Sequence, residues 1–188
     1  MQRRQLLALA GLWAVAPPLA GAEASQPPAG WVHPRRPAPM FGVVGADGRR
    51  QPLPAMLGGK VTAVQLMFTG CKATCPTQGA LFGALASRLR SDDIRLLSIS
   101  IDSLGDTPAT LSNWQAQFGR HPAWAAAVAA VEEVGRLTDF MKGIAARPGT
   151  HTAQVFVFDR QSQLCYRTGD SPTIGELEAL LSHVIRQA

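Results

Sequence analysis

The sequence predicts an α/β domain in which a central mixed sheet is flanked by helices and preceded by a β-hairpin. Three observations carry this expectation. The runs VTAVQLMF (Val61 to Phe68) and IRLLSISI (Ile94 to Ile101) are β-branched and apolar on both faces, as buried parallel strands are. Between them Leu81, Leu85 and Leu89 recur at a spacing of four and set one apolar stripe on a helix. Farther on, TAQVFVFDRQSQLCYRT (Thr152 to Thr168) alternates as two antiparallel strands around Arg160 to Ser162.

Taken in order, the chain opens with Arg3 and Arg4, an apolar stretch from Leu6 to about Ala20, and the small residues Ala20-Gly21-Ala22, the three-part layout of an export signal. Residues 1–22 are therefore expected to be removed, leaving a periplasmic protein. The apolar stretch is shorter than the ~20 residues of a spanning helix and carries Pro17 and Pro18, which argues against a membrane anchor. Paired arginines also permit a twin-arginine route. Residues 23–40 hold five prolines and little apolar periodicity and read as an extended tether, with Trp31 and His33 as solvated linker residues. Residues 41–188 form the domain. FGVVGADGRRQPL, from Phe41, gives two short extended pieces around Asp47-Gly48, a hairpin signal. After the β-α-β unit, Thr107 can cap a helix with Pro108 in its first turn and Leu111, Trp114 and Phe118 on one face. A third helical stretch puts Val131, Val134, Leu137 and Met141 on its apolar side. Beyond the antiparallel pair, Thr173 and Glu176 have capping-box spacing before a helix that turns Leu177, Leu180, Leu181, Val184 and Ile185 inward. The order hairpin, β, α, β, α, α, β, β, α is that of a thioredoxin-like layer of strands between helices.

With 188 residues, 46% of them hydrophobic and 16% charged, one globular domain is expected. The formal charge of +5 falls to +3 once Arg3 and Arg4 leave with the signal, and no long basic run remains, so no nucleic-acid partner is expected. Three cysteines, Cys71, Cys75 and Cys165, cannot build a full disulfide framework in an exported protein.

The chemistry concentrates in FTGCKATCPTQ (Phe68 to Gln78). If the helix starts near Cys75, with Pro76 in its first turn, both thiols sit at a strand-to-helix bend where free backbone N–H groups and the helix dipole favour thiolates, and Lys72 pushes the same way. Two adjacent thiolates can be a structural disulfide, though so short a loop constrains the unfolded chain weakly. They can be a redox couple, although the usual dithiol motif has two intervening residues and this one has three. They can also hold a soft metal: two thiolates suit Cu(I), and a nearby imidazole would complete a three-coordinate site that could also tolerate Cu(II). Among the histidines, surface or packing roles suffice for His121 and His183. His151 stands in PGTHTAQVFVF at the start of a strand expected to neighbour the strand leading to Cys71. Cys165, in QLCYRT, reads as a buried free thiol.

FTGCKATCP, ISIDSLGDTPATL and GTHTAQVFVFD, in this order, resemble the Sco/SenC family of thioredoxin-like copper-binding assembly proteins, over most of the chain from about Phe41 to the last helix. The resemblance implies a periplasmic or membrane-facing protein that holds copper with two cysteines and one histidine and helps build the binuclear copper centre of cytochrome c oxidase. Cys71 and Cys75 match the family's thiolate ligands and His151 its imidazole. Asp102 matches an acidic position that could support the ligands from behind, and Asp106 is simply the neighbour of the capping Thr107. Where the family often has proline and then an acidic residue after the first cysteine, this chain has Lys72 and Ala73. The connection Ile144 to Thr150 before His151 is also shorter than in many relatives.

Two functions follow. One is a copper metallochaperone, with no turnover, that delivers to the copper-accepting subunit of cytochrome c oxidase or another periplasmic copper or thiol protein near the membrane surface. The other is an enzyme, a thiol-disulfide oxidoreductase that keeps such a target's cysteines reduced, since thiolate ligands are also exchange nucleophiles. A thiol peroxidase fits the fold but lacks an evident proton-handling set. His151 discriminates the first two, because dithiol exchange has no need of a distant imidazole.

Overall fold

The computed structural model describes residues 28–143 and 152–187. The expected export signal, the first residues of the tether and His151 lie outside these. Eight strands form one sheet: β1 (Gly30–Pro37), β2 (Gly42–Gly45), β3 (Arg50–Pro52), β4 (Val61–Met67), β5 (Ile94–Ser100), β6 (Trp124–Ala129), β7 (Val155–Phe158) and β8 (Gln163–Arg167). Their spatial order is β1-β8-β7-β4-β5-β6-β2-β3. The pairs β4/β5 and β5/β6 are parallel and the others antiparallel, so the sheet is mixed as expected. The helices are α1 (Leu53–Leu57), α2 (Cys75–Arg88), α3 (Pro108–Ala116), α4 (Val134–Lys142) and α5 (Ile174–Gln187), with a 3-10 turn at Val131–Glu133.

β4 and β5 are apolar on both faces because both faces are covered. On one side Ala63 and Met67 of β4 pack with Phe82 and Leu85 of α2, Leu111 and Trp114 of α3, and Leu177, Leu181 and Val184 of α5. On the other, Val64 and Leu66 pack with Leu53 and Leu57 of α1 and Leu137, Phe140 and Met141 of α4. Burying a large apolar side chain is worth about 1.5–3 kcal/mol, so these two layers are the main support of the fold. Thr107 caps α3 by accepting from Thr110 N at 3.2 Å. Thr173 caps α5 by accepting from Glu176 N at 3.2 Å, while Thr173 N donates to the Glu176 carboxylate at 2.7 Å.

Four features differ from the sequence reading. The segment read as tether supplies an edge strand, β1, antiparallel to β8. Its prolines are tolerated because an edge strand need not donate on its outer side. Val32 is buried, Trp31 meets the Tyr166 ring edge-on at 5.0 Å, and Arg35 pairs with the buried Asp159 at 2.9 Å. Strand β6, WAAAVA, has low β-propensity, and tertiary pairing with β5 overrides it. The five-residue α1 carries no periodicity signal at its length. Val131 is exposed in the 3-10 turn, and Phe140 takes the inward place beside Leu137 and Met141.

Candidate metal-binding and redox site

Strand β4 ends at Met67, the chain turns so that Cys71 N donates to Phe68 O at 3.2 Å, and α2 begins at Cys75 with Pro76 in its first turn. The strand-to-helix placement of the two cysteines is thus the expected one. Cys71 and Cys75 are free thiols, 7% and 2% exposed, and each side chain acts on the acidity of the other.

The two sulfurs are not equivalent. Burial alone would push the Cys71 thiol up, but hydrogen bonds from the Cys75 side chain and from the backbone of Cys75, Ala73 and Thr74 outweigh it and lower the pKa to about 7. Cys75 is pushed up to about 12, first by burial, then by its role as donor to Cys71 and by that neighbour's charge. The sequence reading expected both thiols to ionise readily, and only Cys71 does. Between these two values the pair holds one proton, because a second anion beside the first would be buried and repelled. Lys72 is solvent-exposed and is not among the groups that act on Cys71.

A buried carboxylate fixes the loop before Cys71. Asp106, 6% exposed, accepts from Thr69 N at 2.9 Å, from the Thr69 hydroxyl, and from the Ser100 hydroxyl at 2.5 Å. Asp102 bonds within its own turn instead, accepting from Gly105 N at 2.9 Å. Asp106 therefore does more than neighbour the α3 cap. Hydroxyl residues at the ends of β4 and β5, Thr69 and Ser100, were the signal for it in the sequence.

His151 lies outside the described residues, so its side chain has no place in this geometry. Next in the chain, the Thr152 hydroxyl donates to Asp170 at 3.2 Å, and Ala153 N donates to the same oxygen at 3.0 Å. β7 then runs antiparallel to β4, with Val155 opposite Gln65. Ala153 shares a pocket of 210 Å³ with Ala73 and Thr74, so the start of this segment runs beside the cysteine loop. Among the described residues no group of three or more His, Cys, Asp and Glu side chains could hold a metal. The two sulfurs supply two soft donors, one already anionic near neutral pH, a set that fits Cu(I) and needs a further ligand for three-coordination.

The remaining residues singled out by the sequence have structural places. His121 Nδ1 accepts from Ala123 N at 3.2 Å, and the His183 ring lies 5.4 Å from that of Trp31. Cys165 is fully buried, donates to Val157 O at 3.3 Å, and is pushed up to about 11 by burial and then by the charge of Asp159. No helix among the described residues is long and apolar enough to cross a membrane.

Comparison with known proteins adds sequence and fold evidence. Residues 36–186 match the family model described as SCO1/SenC. No curated protein is similar enough in sequence to match the chain. Among solved structures, a SCO1/SenC family lipoprotein from Bacillus anthracis is similar with a TM-score of 0.68 at 20% identity, over 82% of this chain and 98% of that one. BsSco, described with a disulfide switch and as a member of the Sco family of cytochrome c oxidase assembly proteins, gives 0.68 at 18% identity over 85% and 98%. Bradyrhizobium japonicum ScoI, solved with copper bound, gives 0.63 at 22% identity over 79% and 99%.

Proposed function

The chain belongs to the SCO1/SenC family, and on that premise we propose that it is an exported copper metallochaperone for cytochrome c oxidase assembly. It holds one copper with Cys71, Cys75 and His151 and passes it to the copper-accepting subunit of the oxidase at the periplasmic membrane surface. The observation that carries the reading is the contact between two buried sulfurs at the start of α2, where one proton remains to be displaced. A soft cation can replace that proton, bridge both sulfurs and relieve the repulsion that keeps the second thiol neutral. The third ligand is assigned to His151 because the chain just beyond it borders the cysteine loop. Copper in the Bradyrhizobium relative supports the cargo, and the assembly role of BsSco supports the destination.

A second reading draws on one observation. A thiol with a pKa near 7 is close to the optimum for exchange at neutral pH, which suits a reductase of the target's cysteines. In that role Cys71 attacks the target disulfide, the target's first sulfur leaves as thiolate, and Cys75 then attacks Cys71 to release the second. The target is reduced and the Cys71–Cys75 pair oxidised.

Anaerobic titration of the reduced protein with Cu(I) against a competing chelator tests the first reading. One tightly held Cu(I) per chain is expected, and Cys71→Ser or Cys75→Ser should abolish tight binding. Wild-type affinity and stoichiometry in Cys71→Ser would put the site elsewhere.

A further inference from the structure

One turn beyond Cys75 on α2, Gln78 is 3% exposed, and neither its Nε2 nor its Oε1 has a hydrogen-bond partner. A buried amide left wholly unpaired is costly and uncommon in a folded protein. Gln78 is one of the residues lining the 210 Å³ pocket beside the cysteine loop. Residues three apart on a helix share a face, so the amide stands on the side of α2 that carries Cys75.

The chemistry of the pocket narrows its occupant. No Lys or Arg lines it, which disfavours an anion, and a carboxamide is a poor ligand for a soft metal. The volume lies below the roughly 300–1,000 Å³ of sites that take organic cofactors and drug-sized ligands. What a free carboxamide matches is a peptide unit: Nε2 donates to the peptide C=O while Oε1 accepts from the N–H. The walls join Ala73, Leu81, Ala153 and Pro172 to the hydroxyl-bearing Thr74, Thr77 and Ser171, a mixture that suits the chain carrying that unit. Past Ser171 and Pro172, which line both, the pocket adjoins a 560 Å³ cleft bordered by Tyr166 and Leu180, giving an extended segment room to continue.

We propose that Gln78 binds the main chain of a thiol-bearing polypeptide and so aligns that partner's sulfur with Cys71. The inference rests on the reading that a partner's cysteines meet Cys71 and Cys75, and it names how they are held.

The test compares two disulfides with the same leaving group, 5-thio-2-nitrobenzoate, joined either to the cysteine of acetyl-Gly-Ala-Cys-Ala-Gly-amide or to 2-mercaptoethanol. In each, the Cys71 thiolate attacks the alkyl sulfur, a new disulfide forms, and the coloured thionitrobenzoate leaves with the electron pair. With the full mature chain, the peptide probe should react at least tenfold faster than the 2-mercaptoethanol probe. Gln78→Leu should bring that ratio to within twofold of one, as should peptide N-methylated at the residues flanking its cysteine. Should the leucine variant fail to fold, Gln78→Met, unbranched and of similar length, decides the same ratio. A wild-type ratio near one, or an unchanged ratio in the folded variant, overturns the inference. Cu(I) titration of the same samples keeps the two questions apart. Loss of copper binding in the wild type would count against the metallochaperone reading while the probe ratio still judges Gln78.

Discussion

Thr69, two residues before Cys71, donates both its backbone N–H, at 2.9 Å, and its hydroxyl to the carboxylate of Asp106, which opens the turn into α3. With Ser100 at the end of β5 as the third donor, one buried side chain ties the cysteine loop to the neighbouring crossover. Asp106→Ala would leave three donors unpaired at the C-terminal end of the sheet. The expected loss is about 3 kcal/mol, or a fall in melting temperature of about 6–12 °C for a domain of this size. Thermal unfolding checks this, and a melting temperature within about 2 °C of wild type would refute the role.

The acidity of Cys71 sets a pH profile. Because its pKa is lowered to about 7, the thiolate should be half formed near neutrality, whereas an ordinary cysteine with pKa ≈ 8.5 reaches that point well above it. In metal-free, reduced protein, the rate of iodoacetamide modification should therefore rise with a midpoint near pH 7 and level off by about pH 8.5. One thiol should react in this range, since Cys75 and Cys165 are pushed up to about 12 and about 11. A single midpoint at the ordinary cysteine value would show that the loop N–H groups do not hold the anion.

Removing the imidazole separates delivery from reduction. His151→Ala deletes one proposed copper ligand and leaves both sulfurs and the donors around Cys71 in place. Cu(I) affinity should fall by about tenfold or more, the scale on which even the groups behind metal ligands act. The dithiol reduction potential in metal-free buffer should move far less. In cells lacking the native gene, the variant should fail to restore oxidase assembly at limiting copper. Full rescue combined with lost Cu(I) affinity would favour the reductase.

Two glycines make a matched pair. A Cβ on Gly83, within α2, would lie 2.3 Å from the backbone oxygen of Phe118, while one on Gly135, within α4, would meet nothing within 4 Å. Alanine is the better helix former by roughly 0.8–1.0 kcal/mol, so Gly135→Ala should stabilise by up to about that amount. Gly83→Ala should destabilise by about 1–3 kcal/mol instead, because backbone must move to admit the methyl. Denaturant unfolding of both variants gives the signs, and a stabilised Gly83→Ala would mean that α2 does not pack closely on Phe118.

How far the molecule was legible depended on whether the controlling interaction is local. The β4-α2-β5 unit, the Thr107 and Thr173 caps and the hairpin about Asp47-Gly48 are written in short windows, and each stands where the sequence put it. β1 and β6 were missed because their strands exist by pairing: prolines hide the first and an alanine run the second, until β8 and β5 supply the partners. Within the site, the bend carrying Cys71 and Cys75 was legible from Pro76 and the preceding apolar run. The division of one proton between the sulfurs was not, since it depends on which thiol faces the loop N–H groups. Nor was the reach of Asp106 to Thr69, which spans 37 positions in sequence.

The direction of β1 carries a geographic consequence. Gly30 lies opposite Arg167, which lies opposite Phe156, which in turn faces Val64, so the chain joins the sheet toward the end to which β4 runs and leaves it, at Pro37, toward the other. Strand β1 thus begins on the side of the domain that carries the cysteines. A partner that grips the chain at Gly30 would meet the domain on that same side, and a longer flexible link would leave the sulfurs freer to turn away from it.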